Sequence, residues 1–256
     1  GHNMTIAITN ASLSAATDVT LNGTSVTLNG TSVTSQSGNV NITGNGERTG
    51  VTLINSSITS ENNITITGVT SSTESWNGYS TIAGVTLGGN DTLKGRNIAI
   101  SGRSVNDTIP DNAKYNPGAA GIIFKYGDNY SFDGNVSIRG ESQSHHGVVF
   151  IPRVGQLNMN ITFANGSSSI EGRIASNHGV TITSVDSGAI SLGTWYDNES
   201  VNFRVNHSNL TITADSSNVK NVAINAFAAV SAGGESYTNH RTNGYTFSGD
   251  GNVSVV

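Results

Sequence analysis

The sequence lacks cysteine altogether, has only three prolines, and carries charge on only 11% of its 256 residues. The absence of cysteine excludes a disulfide framework and any metal site built on cysteine ligands. The scarcity of charge and the formal net charge of −5 exclude the clustered Lys and Arg residues of a nucleic-acid-binding surface. No apolar run reaches the roughly 18 residues of a membrane helix. We therefore predict no nucleic-acid partner, no metal and no cofactor.

Residues that favour helices are also scarce, whereas Val, Ile and Thr, which favour strands, are plentiful. Apolar residues make up 35% of the chain, and they alternate with polar residues, so the composition is not that of a disordered chain. The sequence therefore predicts an all-β protein.

A short phrase returns along the whole chain, beginning with Asn in most copies and alternating apolar with polar residues. A period of two is typical of a half-buried strand. This Asn phrase occupies residues 18–23, 25–30, 39–44, 63–68, 97–102, 135–140, 158–163, 209–214 and 252–256. A second phrase, the Gly phrase, begins a strand after a glycine and occupies residues 50–53, 84–87, 121–124 and 147–150.

The two phrases together indicate a β-solenoid, because a strand–turn–strand unit recurs with no helix between its copies. We expect about ten coils stacked at the strand spacing of ~4.8 Å, which would make a rod ~50 Å long. Side chains predicted to fill the interior are Val26, Leu28, Val33, Ile64, Ile66, Ile98, Ile100, Val136 and Ile138. An antiparallel sandwich with hairpins at the Asn-Gly turns is the alternative fold.

Phrases such as Asn-Ile-Thr-Ile-Thr-Gly, Gly-Val-Thr-Leu and Asn-Leu-Thr-Ile-Thr-Ala, in a chain without cysteine, resemble the large exoproteins of bacterial two-partner secretion. This family includes filamentous haemagglutinins, high-molecular-weight adhesins and contact-dependent growth-inhibition exoproteins. The resemblance extends over most of the chain in its composition and its short repeated phrases, and it includes no diagnostic motif. It implies a right-handed parallel β-helix on the surface of a Gram-negative bacterium, exported by an outer-membrane two-partner transporter and used to contact another cell.

We expect one β-helical domain over residues 1–256, with regular coils over 1–68 and coils with insertions over 69–256. Because the chain ends on the strand-like run 252–256, we expect it to be a fragment of a longer filamentous exoprotein. The irregular insertions resemble a receptor-binding region more than a uniform filament.

Four variable intervals, 69–83, 103–120, 193–206 and 232–250, contain both tryptophans and most of the tyrosines. Loops held by a rigid scaffold often carry function, and aromatic side chains are good contact residues. The first two intervals are expected to leave the rod at the same corner and to lie side by side. Residues predicted to bind a receptor are Trp76, Tyr79, Tyr115, Trp195, Tyr196, Tyr237, His240, Arg241 and Tyr245. Alternatively, the aromatic side chains cover the cores of their own loops.

Other residues carry weaker indications of chemistry. His145 and His146 are adjacent on a strand-like segment and would point to opposite faces, so we expect exposed turn residues rather than a metal site. The carboxylates of Asp107 and Asp111, or of Asp128 and Asp133, could meet in a turn, but no convincing acid–base pair is visible. Seventeen Asn-x-Ser/Thr sites occur; they follow from strand alternation, and glycosylation at some of them is the alternative.

The sequence therefore predicts a non-enzymatic, secreted protein that recognises a receptor on a cell surface. The leading hypothesis, which follows from the resemblance, is that the chain is the receptor-binding region of a contact-dependent growth-inhibition effector and binds an outer-membrane protein of neighbouring bacteria. The alternatives are a host-cell adhesin that binds a glycan or protein, a structural filament segment, and a β-helical enzyme acting on polysaccharide.

Overall fold

The computed structural model describes residues 4–72, 82–105, 119–126, 129–143, 146–151, 158–175, 189–192, 200–215, 230–232 and 244–256. These residues form 22 strands and eight coils, each coil contributing three successive strand segments. All of the recorded strand pairings are parallel. The predicted parallel β-helix is therefore confirmed, and the antiparallel sandwich is wrong.

The first strands of coils 1 to 8 form an eight-stranded sheet, which we call sheet A. They are β1 (Thr5–Thr9), β4 (Ser25–Asn29), β7 (Thr49–Ile54), β10 (Ala83–Gly88), β12 (Ala120–Lys125), β14 (Val148–Ile151), β17 (Ile190–Leu192) and β20 (Val230–Ala232).

The second and third strands form the fourteen-stranded sheet B. Its second-strand column contains β2 (Ser12–Ala15), β5 (Ser32–Ser35), β8 (Ser57–Ser60), the first part of β11 (Thr92–Ser104), the first part of β13 (Asn129–Ser142), β15 (Asn158–Ala164), β18 (Ser200–Asn206) and β21 (Gly244–Gly249). Its third-strand column contains β3 (Val19–Gly23), β6 (Val40–Gly46), β9 (Asn63–Thr70), the last parts of β11 and β13, β16 (Ser167–Ile174), β19 (Asn209–Asp215) and β22 (Asn252–Val255).

The number of coils is eight, not the expected ten, because the coils lengthen along the chain. The register advances by 20 residues from Thr5 to Ser25 but by 42 residues from Val148 to Ile190. The extra residues lie between strands rather than within them, so the strands keep a constant register while the connections grow.

Two copies of the Asn phrase lie in a different column from the others. Residues 25–30 belong to the first strand of coil 2, and residues 158–163 belong to the second strand of coil 6. The remaining copies are third strands. Our grouping of all nine copies was wrong for these two, because alternation alone is the same in every column of the helix.

The interior is filled by columns of aliphatic side chains that stack from coil to coil. Ile64, Ile98 and Val136 form one column, and Ile66, Ile100 and Ile138 form the next. All six are at most 4% exposed, as predicted. Val26, Leu28 and Val33 are also fully buried. Burying one such side chain contributes about 1.5–3 kcal/mol, so these columns are the main source of stability.

Aromatic rings replace aliphatic side chains inside the later coils. Phe124 stacks on Phe150 with their ring centres 4.6 Å apart, and Phe132 stacks on Phe163 at 5.4 Å. The sequence pattern did not predict this, since aromatic residues were expected mainly in the insertions. No helix in the described part of the chain is long and apolar enough to cross a membrane.

Candidate interaction surface

The insertions are confined to two of the three corners of the helix. Corner 1 links the first strand to the second, corner 2 links the second to the third, and corner 3 links the third to the first strand of the next coil. At corner 2, no more than four residues separate consecutive strands in any of the eight coils. Corner 3 carries segments 71–82, 105–119, 175–189 and 216–229, and corner 1 carries 152–157, 193–199 and 233–243.

The first two insertions leave from the same corner, as predicted. Their expected bounds were too wide, because residues 69–70 and 103–104 still belong to β9 and β11. The third and fourth predicted intervals likewise include β18 and β21. Since each first strand begins at corner 3 and ends at corner 1, both groups of insertions border sheet A.

Pairs of glycines lie at the roots of the first two insertions at corner 3, segments 71–82 and 105–119. Gly68 ends an Asn phrase and Gly84 begins the next Gly phrase, and the two backbones approach closely. A Cβ atom on Gly68 would collide with the carbonyl oxygen of Gly84, and one on Gly102 would collide with that of Gly121. The strands on either side of these two segments are therefore held together by the scaffold, so the length of the segment between them has little effect on the strands.

The outer face of sheet A becomes less exposed to solvent in the coils where the insertions begin. One outward row runs through Thr27, Thr52, Thr86, Ile123 and Val149. The first two threonines are half-buried, whereas Thr86 is 2%, Ile123 is 0% and Val149 is 1% exposed. The outer face is thus partly open to solvent in coils 2 and 3 and is buried in coils 4 to 6.

The buried part of this outer face forms an apolar cluster of its own, separate from the interior of the helix. It contains Ala83, Ala120, Ile123, Val149 and Ile151, with Tyr126 packed against it. We call the outer surface of β10, β12 and β14 the A face.

A lysine is buried on the A face. Lys125 is 4% exposed, its Nζ lies 4.6 Å from the centre of the Tyr126 ring, and burial lowers the pKa of its amine to about 8. The hydroxyl of Thr86, on the same face, is buried with no hydrogen-bond partner among the described residues. The A face therefore combines an apolar surface with two polar groups that have little access to water.

An ion-paired strip runs along the ends of the third strands, next to corner 3. The Nε of Arg103 lies 3.0 Å from Oε1 of Glu141, and the Nε of Arg173 lies 3.5 Å from Oδ2 of Asp215. These side chains are partly exposed, so each pair contributes at most about 1 kcal/mol. The strip joins coils 4 to 7 beside the roots of the insertions.

The edge at corner 2 carries a ladder of asparagines, one position per coil. The residues at this position are Asp18, Asn39, Asn63, Asn97, Asn135, Ser167, Asn209 and Asn252. The Nδ2 of Asn63 donates to Oδ1 of Asn39 at 2.9 Å, and that of Asn97 donates to Oδ1 of Asn63 at 2.8 Å. We call this row the corner 2 ladder. The repeated initial Asn of the phrase was its only trace in the sequence, and the alternation of the phrase did not predict that these side chains bond to one another from coil to coil.

An open polar groove of about 610 Å³ lies on this edge in coils 5 to 8. His207 and Asp250 stand on one side of it, with Nε2 of His207 3.3 Å from Oδ2 of Asp250. The backbone N–H of His207 donates to Asp250 and lowers the pKa of that carboxyl below its usual value. The lining residues are Asn135, Asn165, Gly166, Ser167, His207, Ser208, Asn209, Asp250, Gly251 and Asn252.

A buried carboxyl group lies inside corner 1. Asp91 is fully buried, and its two oxygens accept the backbone N–H groups of Ser56 at 2.8 Å and Gly88 at 3.1 Å. Burial raises the pKa of Asp91 to about 7, against the opposing effect of the two N–H donors. Its hydrogen bond to Ser56 joins coils 3 and 4.

Most of the residues predicted to bind a receptor lie outside the described residues. These are Trp76, Tyr79, Tyr115, Trp195, Tyr196, Tyr237, His240 and Arg241. Tyr245 lies in β21, opposite Val201 of β18. Their roles stay predictions, although the strands on either side place their segments at corners 1 and 3.

The weaker sequence indications have mixed outcomes. His146 is 1% exposed, so our expectation of an exposed turn residue was wrong for it. Asp133 forms an ion pair with Lys94 at 3.6 Å and accepts the amide of Asn165; Asp107, Asp111, Asp128 and His145 lie outside the described residues. Within the described ranges, no group of three or more His, Asp or Glu residues could hold a metal ion.

No family model, no curated protein and no solved structure matches this chain.

Proposed function

We propose that this chain recognises a receptor on the surface of another cell, with the insertions around the A face as the contact region. The observation that carries the proposal is the placement of the insertions. They occur at the two corners that border sheet A, none occurs at corner 2, and the outer face of sheet A becomes apolar and buried in the coils where they begin.

Loops held at the edges of a sheet by a regular scaffold are common places for contact residues. Glycine pairs lie where the first two corner 3 insertions leave and rejoin the scaffold, so the ends of these two segments are fixed beside each other. Aromatic side chains are enriched in interface hot spots, and Trp76, Tyr79 and Tyr115 lie in the first two of these segments. This distribution supports recognition of a protein or another macromolecule.

The resemblance to two-partner-secretion exoproteins directs the choice of partner. On that basis we propose a non-enzymatic, secreted protein at the surface of a Gram-negative bacterium, exported by an outer-membrane transporter. The proposed receptor is an outer-membrane protein of neighbouring bacteria, as in contact-dependent growth inhibition.

The test replaces insertions one at a time with a short Gly-Ser linker. Residues 73–81 and 106–118 are the aromatic-bearing segments to replace, which leaves Arg103 and its ion pair with Glu141 intact. Residues 176–188 are the matched control, because they have the same length as 106–118, lie at the same corner and contain no Trp or Tyr. Binding of each labelled protein is measured on bacterial outer-membrane vesicles and on host-cell membrane vesicles.

We expect binding to the bacterial vesicles that is lost on replacing 73–81 or 106–118 and kept on replacing 176–188. We also expect Trp76→Ala to weaken binding by ~2 kcal/mol if this residue is a central contact. Binding to host membranes alone would contradict the proposed receptor. Binding that survives both aromatic replacements would contradict the proposed contact region.

A further inference from the structure

We infer that the open polar groove at corner 2 binds a neutral oligosaccharide. The proposed site is a notch in the corner 2 ladder, at the coil where a serine takes the place of an asparagine. This site lies on the insertion-free edge and does not depend on the receptor contact proposed above. It would give the rod a second mode of attachment, to the polysaccharide of a cell surface.

The notch lies at coil 6, which carries Ser167 where six of its seven counterparts carry asparagine. Asn135 and Asn209 lie on either side of it, two coil spacings or roughly 9.6 Å apart along the axis. The Oδ1 of Asn135 accepts the backbone N–H of Ser167 at 3.0 Å instead of a side-chain amide. Without a side-chain amide at this position, the row of amide–amide bonds is interrupted at coil 6, where Ser167 lines the groove.

The residues around the notch present their polar groups outward. Asn165 and His207 adopt positive φ angles of 59° and 48°, so the chain turns sharply and both side chains stand at the corner. Asn165 is held by a 2.8 Å bond from its Nδ2 to Asp133, and His207 is held by Asp250. The Asn165 side chain is therefore oriented before any ligand arrives, which lowers the entropic cost of binding, whereas the imidazole of His207 is 79% exposed and accessible to a ligand.

The lining matches the hydroxyl groups of a neutral sugar. Side-chain amides offer donors and acceptors together, a carboxylate accepts from a hydroxyl, and an imidazole can do either. An anionic ligand would meet Asp250 and no Lys or Arg in the lining. A protein hot spot normally has Trp, Tyr or Arg at its centre, and the groove has none of these. The groove has a volume of about 610 Å³ and is open to solvent along the edge, so a ligand would lie on the surface and contact it from one side.

The edge on which the notch lies can accommodate a linear chain. No insertion interrupts corner 2 from coil 1 to coil 8, so an oligosaccharide can extend beyond the notch along the ladder. Asn252 donates to Asn209 at 3.1 Å and continues the row on one side. Asn135 donates to Asn97 at 3.2 Å on the other.

Filling the notch tests the proposal. Ser167→Asn completes the ladder and should fold normally, because asparagine already occupies this position in the neighbouring coils. Ser137→Asn is the matched control, since Ser137 is exposed on the outer face of β13 and does not line the groove. His207→Gly is a second variant, in which glycine tolerates the positive φ and only the imidazole is lost.

Ligand-observed saturation-transfer NMR is recorded with neutral hexasaccharides of glucose, mannose and N-acetylglucosamine, and with a sulfated hexasaccharide. We expect at least one neutral hexasaccharide to bind the unmodified protein and the Ser137→Asn control, with Kd on the order of 1 mM. Ser167→Asn and His207→Gly should each weaken this binding at least tenfold. Circular dichroism verifies that both variants are folded.

Three results would overturn the inference. They are no binding of any neutral hexasaccharide, binding of the sulfated one only, and binding that neither Ser167→Asn nor His207→Gly weakens. Sedimentation velocity decides whether the edge instead joins two copies of the chain: a dimer that Ser167→Asn dissociates would also count against a sugar site. The insertion replacements should not affect hexasaccharide binding, so failure here and failure of the receptor proposal are distinguishable.

Discussion

At the scale of single residues, the polar side chains hidden at the corners distinguish this molecule from a plain stack of strands. Asp91 bridges Ser56 and Gly88 inside corner 1, beside the column in which Thr31 and Ser56 bond to strand carbonyls. Burying this carboxyl group costs little folding free energy when the group is neutral and much more when it is ionised. Asp91 thus makes the junction of coils 3 and 4 sensitive to pH.

The sign of this effect follows from the direction of the pKa shift. Because the pKa of Asp91 is raised from 3.8 to about 7 in the folded protein, its contribution is fully present below about pH 4 and is lost as pH rises through 7. We expect Asp91→Asn, which cannot ionise, to gain stability relative to the unmodified protein by on the order of 4 kcal/mol between pH 4 and pH 8.

Urea unfolding of both proteins at pH 4, 6 and 8 measures this difference. The comparison between them removes the contribution of the other titrating groups. A difference in unfolding free energy that stays constant from pH 4 to pH 8 would show that Asp91 is ionised in the fold throughout.

At the scale of elements, the register between coils is what holds the strands in place. Each apolar column continues through neighbouring coils, and the outward positions between them carry Ser, Thr, Asn and charged residues. A slip of one residue would turn every side chain of a strand to the other face. The paired glycines at corner 3 oppose such a slip, since only their positions allow the two sheets to approach.

The register predicts opposite outcomes for two neighbouring substitutions in β11. Ile100→Asp places a charge among Ile66 and Ile138 in the interior, where an unpaired charge costs several kcal/mol, so we expect no folded protein. Ser101→Asp changes an exposed residue directly opposite Arg139, and we expect a melting temperature within a few degrees of the unmodified protein.

Thermal melting monitored by circular dichroism distinguishes the two variants. Normal melting of the Ile100→Asp protein, or loss of folding in the Ser101→Asp protein, would show that the register given above for the third strand of coil 4 is wrong.

At the scale of the whole molecule, the protein is a stack in which each strand pairs with strands of the adjacent coils. The interior columns and backbone ladders run its full length, whereas the insertions are attached to the sides at corners 1 and 3. Such a stack separates two tasks: the coils supply stability, and the corners are available for contacts. Corner 2 and the A face are correspondingly different surfaces of one rod.

The fold predicts a far-UV circular dichroism spectrum of the strand type. The described residues contain strands and turns and no helix, so we expect a helix fraction well below the roughly one third that is usual for globular proteins. Residues 221–230, the one stretch whose sequence tolerates a helix, lie mostly outside the described residues and are too few to alter this expectation. A measured helix fraction above about a fifth would be incompatible with a solenoid over the length of the chain.

The sequence by itself determined that the chain forms short strands, which side chains of the Asn phrases point inward, and that long segments interrupt the later coils. These properties are local, because alternation with period two and glycine at a phrase boundary act within a few residues. Val26, Ile64 and Ile100 were therefore placed correctly without a structure.

Only the tertiary structure decided which strands share a column, since residues 25–30 and 18–23 have nearly the same sequence but stack in different sheets. It also decided which corners bear insertions, that Asp91 and His146 are buried, and that Ser167 interrupts a row of asparagines. Each of these depends on residues about 20 to 40 positions apart meeting in adjacent coils. Short phrases of similar alternation do not determine which strands become neighbours. The close approach of glycines and the fit of side chains between coils determine this.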